Sequence, residues 1–208
     1  MYLSLKQHDL FRTLLMGFEI PFRLFVADST LSKYTTYSDF ENVLITRKDN
    51  LSPSDPIFLR NNLPNACRNG KCHDLYGRLV TANNNRYIDV IATDQEMPMV
   101  GALNIVTFAF QNDFSDLYLL FGGYIGYCTL AEKYRYARNK LDHPGCKTLE
   151  DNDLVPVLSF VKDIISFLDD SYFPQKSKEE ILAEVSVLQN RKIEIPVHVH
   201  NFLSLIHI

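Results

Sequence analysis

At 208 residues, with 46% hydrophobic and 22% charged positions, the chain can bury a sizeable core as one large domain or as a domain with an appended subdomain. A formal net charge of -4 excludes a protein that coats nucleic acid non-specifically, so any contact with phosphates has to come from a local basic patch. Four scattered cysteines (Cys67, Cys72, Cys128, Cys146) do not make a disulfide scaffold, and Arg12, Glu19, Pro21 and Arg23 interrupt the apolar N-terminus, so a cytoplasmic protein with reduced thiols and no membrane partner is expected.

Residues 8–28 place Leu10, Phe11, Leu14, Leu15, Phe18, Phe22, Phe25 and Val26 mostly at helical spacing, with Arg12, Glu19 and Arg23 largely between them. The pattern predicts a helix covering a core, kinked or split at Pro21. From 28 to 113 the signal weakens, and an insertion or subdomain of uncertain fold is expected. Asp39–Ile45 reads as a short helix, and Asn50–Pro56 as a loop punctuated by Pro53 and Pro56. Asn61–Asp74 reads as irregular because of Pro64 and Gly70. Leu75–Thr81 has helical spacing, Asn83–Asn85 a turn, and the alternation over Tyr87–Ala92 suggests a short strand. Met97–Phe110 is too apolar to be exposed and predicts a buried helix.

A long helix is predicted from Asp113 to Asp142, capped by Asp113 or Ser115, with Leu117, Leu120, Phe121, Tyr124, Cys128 and Ala131 on its apolar face. Gly122, Gly123 and Gly126 fall inside that span, each costing about 1 kcal/mol relative to alanine in a helix interior. Close packing against another helix, in this chain or a second copy, would offset that cost; the alternative is that the glycines bend the helix. A further helix is expected over Leu154–Tyr172, capped by Asn152 or Asp153 and closed by Pro174. Ser177-Lys178-Glu179-Glu180 has the spacing of a capping box and opens a helix running to about Asn190. The apolar 193–208 tail, with Pro196 and three histidines, is a C-terminal extension. The pattern as a whole predicts a single mainly-α helical bundle.

Few constellations carry chemistry. Cys67-x4-Cys72-His73 lacks the paired spacing of a structural zinc site and would need distant ligands such as His198 or His200, so neither a metal nor another cofactor is expected. No Walker-type phosphate loop and no Gly-x-Ser-x-Gly elbow occurs. The end of the long helix is different. Between Glu132 and Lys147 the basic residues Lys133, Arg135, Arg138, Lys140 and Lys147 outnumber Glu132 and Asp142. Tyr134 and Tyr136 lie beside them and could stack on bases, so the stretch is a candidate RNA-binding patch. The plainer alternative is a solvated face with Arg138 and Asp142 paired four residues apart.

Asn139 and His143 share one helix face, where the amide can orient the imidazole. Arg138 points about 140° away from His143 on an ideal helix. The two converge only if the last turn unwinds, which Pro144 encourages, or if a second chain completes the site. The helix C-terminus and Asp142 both favour the protonated imidazole, which suits acid–base work near neutral pH.

Arg138-Asn139-x-Leu141-x-His143, closing one helix and followed by another, resembles the Arg-x4–6-His motif of the HEPN superfamily. The resemblance covers roughly Phe114 to Tyr172, reaching about 190 if the helix after Ser177 is included, and does not extend to the first hundred residues. The expected arrangement is a HEPN-like core of about 114–190 packed with the helix of about 8–28. It implies a helical-bundle, metal-independent endoribonuclease of a defence or toxin-type system, with the site at a homodimer interface. In that scheme Arg138 stabilises charge on the scissile phosphate, His143 moves the proton for attack by the ribose 2′-OH, and Asn139 orients the imidazole or holds a phosphate oxygen. Gly145 stands where toxin members modified by a nucleotidyltransferase antitoxin often carry tyrosine, so modification by such a partner is not implied. The competing readings are a non-catalytic helical interaction module, in which the glycine face binds a partner, and a sensor domain working through the first hundred residues.

Overall fold

A computed structural model describes residues 5–68, 71–84, 99–109, 112–142, 149–174 and 176–190. Over these the chain is mainly α, with nine α-helices, one 3-10 turn and no extended strand among the described residues. Helix α1 (Leu5–Lys33) is the spine of the molecule. Phe11, Leu14, Leu15, Phe18, Phe22 and Val26 recur every three or four residues along it and are buried. The helix continues through Pro21 instead of splitting there. A proline inside a helix costs about 3 kcal/mol. Fully buried Phe18 and Phe22, stacked with ring centroids 5.6 Å apart, flank it and each contribute roughly 1.5–3 kcal/mol by burial, enough to offset it.

On one side of α1 lie α2 (Tyr37–Asp49), α3 (Ile57–Ala66), α4 (Lys71–Asn84) and α5 (Met99–Phe108). The weakly patterned third of the sequence is thus mostly helical where it is described, with the expected Asn50–Pro56 loop between α2 and α3, and α4 and α5 pack on α1 as part of the same hydrophobic core. Thr36 caps α2, its hydroxyl accepting the Asp39 N–H at 3.2 Å. Helix α3 occupies part of the stretch expected to be irregular. Leu59 and Leu63, four residues apart and fully buried, anchor it, and Pro64 falls near its C-terminal end, where only the last turn loses a bond. Asn83 and Asn84 belong to the last turn of α4, not to a turn after it. The buried helix expected near Met97–Phe110 is α5, with Ala102, Leu103, Ile105, Val106 and Phe108 inside. The strand expected over Tyr87–Ala92 lies outside the described residues.

The long helix predicted from Asp113 is two helices, α6 (Ser115–Leu119) and α7 (Tyr124–Asp142). The Gly123 N–H donates to the Tyr118 carbonyl at 2.9 Å and the Gly122 N–H to that of Leu119 at 3.3 Å, a Schellman ending with Gly122 left-handed at φ 71°. Gly126 serves the same turn. A Cβ built on it would lie 1.9 Å from the Phe121 carbonyl oxygen, so the absent side chain admits the protein's own backbone and not another helix. Asp113 does not cap α6; its carboxylate accepts the Tyr34 hydroxyl at 2.6 Å, and its backbone carbonyl takes the Lys33 ammonium at 2.6 Å.

Helix α8 (Asp151–Phe167) buries Leu154, Val157, Leu158, Val161, Ile164 and Ile165 as a continuous stripe. It ends at Leu168, earlier than Tyr172, and Asp170–Tyr172 form the 3-10 turn. Its N-cap is Glu150, whose N–H the Asp153 carboxylate accepts at 3.4 Å. Helix α9 (Lys178–Gln189) begins with the predicted box: the Ser177 hydroxyl accepts the Glu180 N–H at 3.2 Å, and the Glu180 carboxylate accepts the Ser177 N–H at 2.8 Å. Helices α1, α7, α8 and α9 pack into a bundle, and α7 also touches α5. One side of α7 therefore faces the bundle and another faces α3 and α5. The 193–208 extension lies outside the described residues.

Candidate functional site

Helix α7 remains helical through Asp142, so no unwinding brings Arg138 round within the described last turn. Arg138 is instead held from across the bundle. Its Nε donates to the Glu19 carboxylate of α1 at 2.9 Å, with the two side chains 29% and 16% exposed. The pairing with Asp142 considered above falls on a side chain outside the described residues. The same Glu19 oxygen accepts the Tyr134 hydroxyl at 3.3 Å. Glu19 is placed by its neighbour Phe18, which meets Tyr134 edge to face at 5.6 Å inside the core. In the sequence Glu19 falls among the polar residues between the apolar positions of α1. Its position three residues before buried Phe22 and one after buried Phe18 was the available signal that it sits at the edge of a helix interface.

Two of the residues expected to bind RNA are not at the surface. Tyr134 is fully buried, packed against Phe18 and Phe160, and burial drives its hydroxyl pKa well above the usual value. It cannot offer a ring face to a base. Arg135 is 8% exposed and turned toward α3 and α5, where its Nη2 donates to the Asn104 amide oxygen at 3.0 Å and the Thr107 hydroxyl at 3.3 Å. Its guanidinium carbon stands 3.8 Å from the centre of the Phe58 ring. Both errors have one cause. Tyr127, Ala131, Tyr134 and Arg135 continue the buried stripe at intervals of three and four, and that spacing outweighs the polarity of the last two.

The remaining positions divide. Lys133 and Asn139 are exposed, and the Tyr136 ring is 52% exposed. Lys140 donates to the Asp153 carboxylate at 3.0 Å and lies 4.3 Å from the centre of the Tyr136 ring, and the contacts with Tyr136 and Asp153 both raise its pKa. That ion pair ties the end of α7 to the first turn of α8. His143 and Lys147 lie outside the described residues. Of the five basic residues expected to form a patch, Arg135 is buried, while Arg138 and Lys140 each face a carboxylate. The field at this helix end is thus weaker than the residue count suggests.

The thiols sit elsewhere. Cys72 is buried, its Sγ donating to the Ala66 carbonyl at 3.0 Å, and burial pushes its pKa up to about 12. His73 stacks edge-on against Tyr37 at 5.1 Å. Among the described residues no group of three His, Cys, Asp or Glu side chains is arranged to hold a metal ion. Nor, among them, is any helix long and apolar enough to cross a membrane. His198 and His200 lie outside the described residues.

No family model, curated protein or solved structure matches the chain.

Proposed function

We propose that this chain is a metal-independent endoribonuclease of the HEPN type, acting in a defence or toxin-type system at a homodimeric Arg/His site. The observation that carries the reading is the Arg138–Glu19 contact: an arginine near the end of α7 is held at Nε by a carboxylate from another helix while its side chain stays about a third exposed. A guanidinium so held is preorganised toward a phosphate, because it loses little side-chain freedom when the substrate arrives. Asn139 is exposed on the same turn, and Lys140 ties that turn to the start of α8, which fixes the distance between the two helices flanking the motif.

In the reaction, the ribose 2′-OH attacks phosphorus and its proton passes to His143. The P–O5′ bond breaks, and a proton is returned to the leaving 5′ oxygen. Arg138 balances the charge that grows on the phosphoryl oxygens, and Asn139 orients the imidazole. The products are a 2′,3′-cyclic phosphate and a 5′-hydroxyl end.

Replacing Arg138 or His143 with alanine should each lower RNA cleavage in a chelator-containing buffer by about 10²–10⁴-fold, the usual contribution of a positioned acid–base group. Cleavage that survives both substitutions would sink the reading. Mixing the two inactive variants tests the dimer, because a mixed dimer carries one composite site with both wild-type residues. Activity should return on mixing; no recovery would place Arg138 and His143 of one chain in one site.

A second reading has its own support. Leu119, Leu120 and Ile125 are exposed around the glycine turn, and Arg138 is already paired, which suits a non-catalytic module whose apolar turn meets a protein partner. It predicts a folded protein without cleavage and loss of partner binding on Ile125→Asp.

A further inference from the structure

Arg135 presents a chemical imbalance that the ribonuclease reading does not use. A guanidinium carries five N–H donors and no acceptor. Of its three nitrogens, only Nη2 is bonded, to the neutral oxygens of Asn104 and Thr107; Nε and Nη1 are buried with no hydrogen-bond partner. Among the described residues no carboxylate forms a salt bridge with it; the exposed Glu132, one turn earlier, acts on it only at longer range. The Tyr127 hydroxyl, on the same helix two turns earlier, is also fully buried and without a partner. Arg135 is the charge that acts most strongly on that hydroxyl.

Arg47 on α2 shows the contrast. It is buried to a similar degree and its Nε also lacks a partner, yet its charge is met, since Nη2 stands 2.6 Å from the Asp55 carboxylate. A buried cation without a counter-charge is strongly unfavourable, and native proteins meet such groups with an ion or with water. The unmet guanidinium groups are all donors, and the Tyr127 hydroxyl can donate as well. The missing partner is therefore an acceptor, and an anionic one fits the charge.

We propose that Arg135, with Tyr127 and Asn104, forms a binding site for a small oxyanion of the phosphate or carboxylate class between α3, α5 and α7. The Phe58 ring covers one face of the guanidinium, and its neighbour Ile57 is 66% exposed, so the site lies one side chain beneath the surface. A ligand of a few atoms enters beside Phe58, whereas a nucleic-acid backbone cannot reach a group this buried. The site is separate from Arg138, which faces α1.

Thermal unfolding and titration calorimetry of the full chain test the site, with inorganic phosphate and acetate as probes against chloride at matched ionic strength. Phosphate stabilises proteins generally by exclusion from their surface, but that effect does not saturate. The wild-type protein should show a saturable rise in Tm and bind one anion per chain, and the stronger of the two probes identifies the ligand class. Arg135→Met should abolish the saturable part, while Tyr127→Phe should weaken binding about tenfold, the loss of one hydrogen bond to a charged group. If Arg135→Met does not fold, Arg135→Lys serves, keeping the charge while losing the fork geometry and weakening the saturable part. Parallel, non-saturating responses in wild type and variants, with no heat of binding for either probe, would overturn the proposal and leave water as the partner. RNA cleavage is not a readout here, so failure of this site and failure of the ribonuclease reading are distinguishable.

Discussion

Arg135 and Arg138 stand three residues apart on one helix and live in different surroundings. Arg138 looks across the bundle to Glu19 and remains partly exposed; Arg135 looks toward α3 and α5, is buried, and finds only neutral oxygens and a ring. On an ideal helix a separation of three residues is about 300°, only 60° short of a full turn. That small rotation is enough to move a side chain from the edge of one interface into another. Identical residue types thus say little about role until the helix face is known.

The first way to sharpen this comparison uses another buried arginine, Arg47. Asp55→Ala leaves Arg47 buried without its counter-charge and should lower stability by about 3–5 kcal/mol in chemical denaturation. A small effect would mean that this fold tolerates an unpaired buried guanidinium, which would remove the reason to seek an anion at Arg135. The pair also gives a pH signature. Burial alone would raise the Asp55 pKa, but the Ser52 N–H and the Arg47 guanidinium outweigh it, and the net shift is downward. A carboxyl depressed in the folded state adds stability above its unfolded pKa and loses it as the pH falls through the folded value. The acid limb of the stability curve should therefore flatten in Asp55→Asn.

Smaller effects are expected around Glu19. Glu19→Gln keeps the shape but removes the charge facing Arg138, and should cost about 1–3 kcal/mol in the same assay, with RNA cleavage reduced because the guanidinium is less firmly placed. Unchanged stability would show that the contact positions nothing. Tyr134→Phe removes only the hydroxyl that shares the Glu19 oxygen, and about 1 kcal/mol is expected. Asn139→Ala lies on the exposed side and should stay within about 0.5 kcal/mol of wild type while lowering cleavage.

What could be read in advance depended on how local the cause was. The Ser177–Glu180 box was legible because four consecutive residues contain both halves of the interaction. The α8 stripe was legible because six apolar residues, from Leu154 to Ile165, keep one period. The break between α6 and α7 was not, since Leu117, Leu120, Tyr124 and Cys128 keep helical spacing across it and only the adjacent glycines mark the left-handed turn. Pro64 did not mark an irregular stretch, because Leu59 and Leu63 anchor α3 in the core and only its last turn loses a bond. At the candidate site, the motif placed Arg138 and Asn139 at the end of a helix, where they are found. Its partner Glu19 lies 119 positions away, and no local pattern links the two.

The most direct test of separate roles for the two arginines is to measure RNA cleavage by wild type, Arg138→Ala and Arg135→Met side by side, with end-group analysis for the cyclic phosphate and circular dichroism as a check on folding. Cleavage by the wild type, lost in Arg138→Ala and retained in folded Arg135→Met, is the predicted outcome. Absence of cleavage by the wild type, or its retention in Arg138→Ala, would contradict the account.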